Sequence, residues 1–509
     1  MKIRLFVPPG GYFAERWSKG STMPTLGLLS IGAVLEKEGI DVGIVPSDVL
    51  GLGWKDIEKR IRTEEPDIIG ITGTTENRFQ AFRLIRLARK ARPEALIIMG
   101  GPHASMAAED TLSHIPELDM VVRGEGELTT LEICRTYKKI GMERTCLRRN
   151  LASIDGITFR GDGAIVSTQP RAPVVDLDTL PFPAFHLVPF EKYNFRIEVP
   201  GHGLLQAVNI MTSRGCPFEC NFCATPINWG RHVRMRSPEN IVREIEEHIR
   251  DRGARVIFFY DDTFNSSPKR VEALCDLILE RKLDIFWRAE VRLDLIDKPL
   301  LEKMKKAGLF HISFGVEAGS ERVRREIIHK KIEIADFHNL IGWCLELGII
   351  PNVFFIFSHP TETWEEAQES VKIIESYRGK VEASVAILHV YPGTPLEKTA
   401  HDLGLLPPDF TWTRKYRKGV ITLPTAQGDV PLFLDKLSWA QTSELLFRWS
   451  MSGGNVSILR KAFRALPHIR SFRDFRRYVI MAAVLAKLKV AKAFSKNRGK
   501  PPEQVTHGM

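Results

Sequence analysis

No uninterrupted apolar stretch in this chain reaches the roughly 18 residues that a membrane-spanning helix requires, so a helical membrane protein is not expected. Nor is a secretory leader expected. Met1-Lys2-Ile3-Arg4-Leu5-Phe6-Val7 is short and charged and reads as a strand, which sets the expectation of a reducing cytoplasm. Cysteine is sparse, 7 in 509 residues, and Cys134, Cys146, Cys275 and Cys344 are scattered as ordinary buried or surface thiols would be. The phosphate-loop fingerprints GxGxxG and GxxxxGK[ST] are absent from the strand-end loops described below. There is no low-complexity tract. The aromatic residues are mostly Phe and show no stacking motif, so nucleic acid is not the expected partner. What is present is ordinary for a globular protein: 44% apolar and 26% charged residues, and length enough for about two to four domains.

Charge is distributed unevenly. Of 72 basic and 62 acidic residues, 14 and 3 lie in 441–509, leaving 58 and 59 on the rest of the chain. Residues 455–496 interleave Ile, Leu, Phe, Val and Ala with Lys and Arg. Such a segment can lie on an acidic membrane surface, cover an open side of the molecule, or bind a phosphorylated partner. Residues 401–509 are expected to form a C-terminal extension, basic and mainly helical from 441.

Residues 1–140 alternate continuous apolar runs (Ile3–Val7, Val42–Val45, Ile68–Thr72, Leu96–Met99, Met120–Val122) with helical patterns (Leu26–Glu38, Trp54–Thr63, Arg78–Ala91, Ala104–His114). That alternation predicts an α/β domain with a doubly wound parallel sheet, whose ligands bind beyond the carboxyl ends of the strands. Those ends carry Pro8-Pro9-Gly10-Gly11, Thr72-Gly73-Thr74-Thr75, Gly100-Gly101-Pro102-His103 and Arg123-Gly124-Glu125-Gly126-Glu127. Glycine there admits a bulky ligand close to backbone, and the same glycines would equally serve tight turns. Residues 141–205 read as a connector containing a hairpin turned at Gly161-Asp162-Gly163 and the Pro-punctuated linker Leu177–Ala184. From 206 to 400 strands and helices alternate about six times, which predicts a partial (β/α)6 barrel with catalytic groups at the strand ends.

The first barrel strand runs into Arg214-Gly-Cys-Pro-Phe-Glu-Cys-Asn-Phe-Cys223. Cys216, Cys220 and Cys223 are spaced CxxxCxxC, too close for all to pair as disulfides. Three thiolates suit three irons of a [4Fe–4S] cluster and leave the fourth open to a small molecule, since no fourth Cys lies nearby. Three structural thiols or a zinc knuckle short of one ligand are the alternatives.

The run resembles the signature of the radical S-adenosylmethionine (SAM) superfamily, CxxxCxΦC, with Phe222 at the aromatic position. The resemblance implies that the amino and carboxylate groups of SAM chelate the open iron, and that reductive cleavage yields a 5′-deoxyadenosyl radical. It further implies SAM contacts from Asp261 or Asp262 after the second barrel strand, from Arg292 in Arg288-Ala-Glu-Val-Arg292, and from Gly315 and Glu317 in Ser313–Glu321. His359-Pro-Thr-Glu-Thr363 takes the place of a Pro-Gly-Glu-Thr loop, with Thr361 replacing Gly, and Tyr391-Pro-Gly-Thr-Pro395 matches the terminal barrel segment. A flavodoxin- or ferredoxin-type electron donor is implied as partner. The runs Thr25-Leu-Gly-Leu-Leu, Gly100-Gly-Pro-His-Ala-Ser and Arg123-Gly-Glu-Gly-Glu resemble the cobalamin-binding domain that precedes many radical SAM cores. That likeness implies cobalamin at Thr72, Gly73, Gly100, Gly101, Gly124 and Glu125. The DxHxxG motif that supplies a cobalt-ligating His elsewhere is missing, and His103 lies after the fourth strand, so no protein His is expected on cobalt.

Two chemistries follow from the resemblance: methylation of an unactivated carbon, which is preferred, and oxidative ring closure of the magnesium-protoporphyrin ester cyclase type. A cobalamin sensor or carrier is a third reading, against which the Cys triad argues. A methylthiotransferase is disfavoured, because no Cys precedes Cys134 to hold a second cluster. The substrate is expected to be a lipophilic small molecule, a lipid or tetrapyrrole, with 441–509 touching the inner face of a membrane.

Overall fold

The computed structural model describes residues 1–9, 23–140, 150–161, 163–416, 420, 422–425 and 428–452. The Gly10-Gly11 loop, Cys146 and the basic segment beyond 452 lie outside the described residues.

The apolar runs near the N-terminus form β1 (Lys2–Val7), β2 (Asp41–Pro46), β3 (Ile68–Thr72), β4 (Leu96–Gly100) and β5 (Met120–Val122), all parallel. They lack polar alternation because both faces are covered. Ile57, Ile61, Phe82 and Ile85 pack on one side, and Leu28, Leu29, Leu35 and Ile133 on the other. The order β2-β1-β3-β4-β5 reverses direction between β1 and β3, and a crevice opens at that switch point. The hairpin expected in the connector, β6 (Ile157–Arg160) and β7 (Ile165–Ser167), extends this sheet antiparallel to β5. The single helix expected over Ala104–His114 is two, Pro102–Met106 and Ala108–His114, interrupted at Ala107. Ala107 instead packs against Leu388, Val390 and Leu396 of the second half of the chain.

The second sheet begins with the hairpin β8 (Arg196–Val199) and β9 (Gly203–Ile210). A small antiparallel pair, β10 (Ser213–Arg214) and β11 (Arg234–Met235), brackets the cysteine loop. Then come β12 (Val256–Phe259), β13 (Phe286–Val291), β14 (Leu309–Glu317), β15 (Ile350–Phe357) and β16 (Glu382–Ile387). The order β16-β15-β14-β13-β12-β9-β8 gives six parallel strands and two edges, an open half barrel. Helices such as Pro238–Arg252, capped by Ser237, cover its outside. Between local irregularities near Leu309–His311 and Gly315–Glu317 the strands alternate. Trp287, Ala289, Val291, Ile312, Phe314, Val316, Val353, Phe355 and Phe357 point to the helices, while their even-spaced neighbours face the lumen.

The two halves are joined by a buried ion cluster. Arg214, on β10 just before the cysteines, donates to Glu125 Oε2 at 2.9 Å and to Glu127 Oε1 at 2.6 Å, and Arg234 on β11 reaches Glu125 Oε1 at 2.5 Å. None of the four side chains is more than 9% exposed, and Trp229 lies 5.2 Å from the Arg214 guanidinium. Removing one member of such a set leaves a buried charge without its partner, which costs about 3–5 kcal/mol, whereas replacing both members by apolar groups is often neutral. Arg214→Met, which strands Glu127, should therefore destabilise the protein by about that amount in urea denaturation, and Arg214→Met/Glu127→Leu should recover much of it. A double variant no more stable than the single would show that the pair is not a closed unit.

Candidate functional site

The cysteine loop is held at each point by groups from elsewhere in the half barrel. Asp261, after β12, is buried, and its Oδ1 accepts from Thr212 N (3.0 Å), Thr212 Oγ1 (3.0 Å) and Ser213 Oγ (2.6 Å). Gly215 has φ +99°, and a Cβ there would stand 2.4 Å from the His232 carbonyl oxygen, so only glycine fits. Phe218 lies under the Arg292 guanidinium, 3.5 Å from ring centre to carbon, a cation–π contact. Asn221 Nδ2 donates to the Ile327 carbonyl at 2.6 Å, inside a π-helical turn, Val323–Ile327, that follows β14. Phe222 packs between Ala318, Val323 and Ile328 on one side and the Leu388–Val390–Phe433 group on the other.

The three thiols are half-buried on this loop, and Cys216 Sγ lies 3.6 Å from Thr263 Oγ1. Burial pushes the Cys220 thiol up to about 11, opposed by the nearby charges of Lys330 and Arg292, and pushes Cys223 up as well. Cys220 and Cys223, and Cys223 and Cys216, interact electrostatically, so the three face one region. Among the described residues, no three His, Cys, Asp or Glu side chains are gathered tightly enough to surround a single ion. Zinc would require its sulfurs about 2.3 Å away. A multi-iron cluster has wider reach and the matching soft-ligand chemistry, so the triad fits a [4Fe–4S] cluster and not a mononuclear site.

Around the loop mouth, the residues expected to meet SAM divide into supports and open faces. Asp261 supports the loop. Asp262 is exposed and accepts from Thr225 Oγ1 at 2.7 Å, which makes it the acid of the pair that faces outward. Arg292 forms an ion pair with Asp294, Nε to Oδ1 2.7 Å, while its guanidinium covers Phe218. Glu317 ends β14 at φ +69° and accepts from Lys330 Nζ at 2.8 Å. This pair lies over Gly315: a Cβ there would fall 1.8 Å from Glu317 Oε1 and 2.8 Å from Lys330 Nζ. In the loop after β15, Glu362 is buried and accepts from the backbone of Ser358 (2.6 Å) and His359 (3.0 Å). Burial raises its carboxyl to about 7. Thr361 sits at φ +60°, a conformation suited to glycine, and Arg322 holds it by its hydroxyl and carbonyl.

At the switch point of the first sheet lies a cavity of about 440 Å³. Thr72, Gly100, Gly101, Gly124 and Glu125 line it, as does the start of the helix Leu26–Lys37. Gly73 stands behind, where a Cβ would meet the Met99 methyl at 2.6 Å. Gly124, at φ +69°, has nothing within 4 Å of its Cβ direction, so backbone is presented directly to a ligand. Leu177–Pro183 from the linker roofs the cavity, and Asn209, Met211, Asn228, Trp229 and Tyr260 of the second half close it. His103 is not in the wall. It is buried, with Nδ1 3.2 Å from Thr75 Oγ1 and its ring against Phe82 and Trp412, and burial with the Arg78 charge lowers it to about 3. No histidine stands among the described residues that line the cavity. The glycine-edged crevice, without histidine in its described wall, fits a cobalamin held without a protein imidazole on cobalt.

Sequence reading missed Lys330, Arg214 and Arg234. Arg214 and Glu127 flank runs already singled out, but no local signal says that residues 87 apart meet.

Profiles of known families match the same two regions: the B12 binding domain over residues 18–133 and the Radical SAM superfamily over 210–374. An uncharacterized methyltransferase of Pyrococcus horikoshii is 32% identical over 396 residues, which cover 78% of this chain and 82% of that protein. The anaerobic magnesium-protoporphyrin IX monomethyl ester cyclase of Rubrivivax gelatinosus is 28% identical over 493 residues, covering 95% and 82%. Among solved structures, the radical SAM methyltransferase TsrM of Kitasatospora setae, with cobalamin and a [4Fe–4S] cluster bound, superposes with a TM-score of 0.69 at 17% identity, over 96% of this chain and 100% of that one. The chain therefore belongs to the radical SAM enzymes with an N-terminal cobalamin-binding domain, whose cofactors are a [4Fe–4S] cluster, SAM and cobalamin.

Proposed function

We propose that this enzyme transfers a methyl group from SAM to an unactivated carbon of a lipophilic small molecule. The observation that carries the reading is the continuity of the two sites. The helix Thr225–Trp229, which leaves the loop directly after Cys223, supplies Asn228 and Trp229 to the wall of the cobalamin cavity. One substrate can thus lie between both cofactors. When bound, the cluster supplies the electron that cleaves SAM, and cobalamin supplies the methyl carrier. The chain's own part is to place them. The triad holds the cluster, and Asp262 faces the amino end of SAM. Gly315, lacking a side chain, makes room for the Glu317–Lys330 pair at the mouth. The linker Leu177–Pro183 and Trp229 exclude water from the cavity. A flavodoxin- or ferredoxin-type protein supplies electrons.

Oxidative ring closure is the second reading, favoured by the cyclase match extending over 95% of the chain. The fate of SAM separates the two. Methylation through both routes should release S-adenosylhomocysteine and 5′-deoxyadenosine in about equal amounts per product. Turnover that yields 5′-deoxyadenosine alone would favour the cyclase. Replacing Cys216, Cys220 or Cys223 by Ala should abolish cluster absorbance and 5′-deoxyadenosine, while Cys134→Ala, Cys275→Ala and Cys344→Ala should keep both. Full iron content in any single triad variant would remove the cluster assignment.

The basic segment 441–509 belongs to the same reading as a dock for an anionic bilayer that holds the substrate. Its support is compositional, 14 Lys and Arg against 3 acids, each basic group contributing on the order of 1 kcal/mol near such a surface and less at high salt. Among the described residues no helix is long and apolar enough to cross a membrane. Full-length protein should co-sediment with anionic liposomes at low salt, and a 1–440 truncation should not. Both remaining in the supernatant would exclude docking.

A further inference from the structure

The lumen of the half barrel carries a guanidinium that, among the described residues, makes no hydrogen bond and no close ion pair. On β13, Trp287, Ala289 and Val291 join the helix-side core, so Arg288 and Glu290 face inward. The next strands add His311 and Ser313, then Asn352, then Ser384 to the same face. Most of these polar groups bond to one another. Asn352 Nδ2 donates to Ser313 Oγ at 3.4 Å, Ser384 Oγ donates to Asn352 Oδ1 at 3.1 Å, and His311 Nε2 lies 3.1 Å from Glu382. Arg288 does not take part. Its Nε is buried without a partner, and among the described residues its guanidinium has no ion pair or hydrogen bond. Its one packing partner of note is the Phe258 ring, 4.4 Å from the guanidinium carbon. Glu290 and Glu382 are the carboxylates that act on it, without contact. Arg292 and Arg270 also bury an Nε without a hydrogen bond, but Arg292 lies 2.7 Å from Asp294 and Arg270 donates through Nη1 to the Thr212 carbonyl, while Arg214 is paired with Glu125 and Glu127.

The Arg288 Nε is buried without an acceptor, a cost that the entry of an anion would remove, and the Phe258 ring holds the guanidinium in place to meet it. Its planar fork of donors suits a carboxylate or phosphate. Phe258, Phe354 and Ile356 line the same face and offer apolar contact to the remainder of a ligand. Arg288 lies two residues before Glu290 on β13 and Arg292 two after it, beyond the strand, so Glu290 stands between Arg288 and the cysteine loop. We propose that Arg288 anchors an anionic group, carboxylate or phosphate, of the substrate, so that the molecule taken is amphiphilic: an apolar body with one anionic end seated in the lumen. This rests on the methyl-transfer reading above.

The test uses full-length enzyme reconstituted with cluster and cobalamin, SAM labelled in its methyl group, and a small-molecule extract split by anion exchange into retained and unretained fractions. Labelled product should form from the retained fraction. Arg288→Gln should lower it roughly ten- to hundred-fold, the range for losing a charged hydrogen bond, and Arg288→Lys should restore part of it. Substrate-free SAM cleavage by both variants should stay within about two-fold of the parent. Label transferred from the unretained fraction and unaffected by Arg288→Gln would overturn the anion anchor while leaving methyl transfer standing. Parallel loss of substrate-free SAM cleavage would assign Arg288 to SAM and also overturn it. Label in no fraction would overturn the methylation reading, and the anchor with it.

Discussion

The buried cluster of Arg214, Arg234, Glu125 and Glu127 is the contact on which the rest of the site depends. Its acids edge the cavity, Glu125 from the loop after β5 and Glu127 from the first turn of the helix Gly126–Ile140, and its arginines bracket the cysteine loop. The cavity and the triad are thus tied by side chains rather than by the linker alone. A buried ion cluster is a weak source of net stability, because desolvation opposes the Coulomb gain. What it does provide is register. Four charges, each with a partner, permit one docking of the two halves, and a small slip leaves one of them bare.

Around that joint the molecule places conformational strain and open polarity where a ligand is expected. Glu317, Ser358 and Thr361 take left-handed backbone conformations at the ends of β14 and β15, each at a cost on the order of 1–3 kcal/mol. Hydrogen bonds hold two of them in place: Glu362 accepts from the backbone of Ser358, and Arg322 grips Thr361. The half barrel's outer face is a continuous apolar core from Val208 to Ile374, while its lumen mixes polar groups such as Arg288, Glu290 and Asn352 with Phe258, Phe354 and Ile356. The same strands serve both purposes because alternate residues point to opposite sides.

Much of this was legible in the chain. The strands β1 to β5 follow continuous apolar runs, since a sheet covered on both faces needs no polar positions. The cysteine spacing implied the cluster, because three thiolates on one short loop have few other uses. Other features depended on contacts distant in sequence. The interruption at Ala107 reflects packing against Leu388 and Val390, which no local pattern reports. The helix Gly126–Ile140 begins within a run that reads as a glycine turn. Asp261 and Asp262 are adjacent and alike in sequence. Only the fold shows that one braces Thr212 and Ser213 while the other faces the mouth. Arg288 carried no signal of its own, since an unpaired arginine can be recognised only once its surroundings are in place.

The central claim is that both cofactors open onto one chamber. It is tested most directly by electron paramagnetic resonance of full-length protein carrying cob(II)alamin and the reduced [4Fe–4S] cluster together. Two paramagnets in one chamber should interact, so the cobalt signal should be broadened or split, and should relax faster, compared with protein in which the cluster is oxidised. A spectrum equal to the sum of the two separate signals, with unchanged cobalt relaxation, would place the cofactors apart and contradict the account.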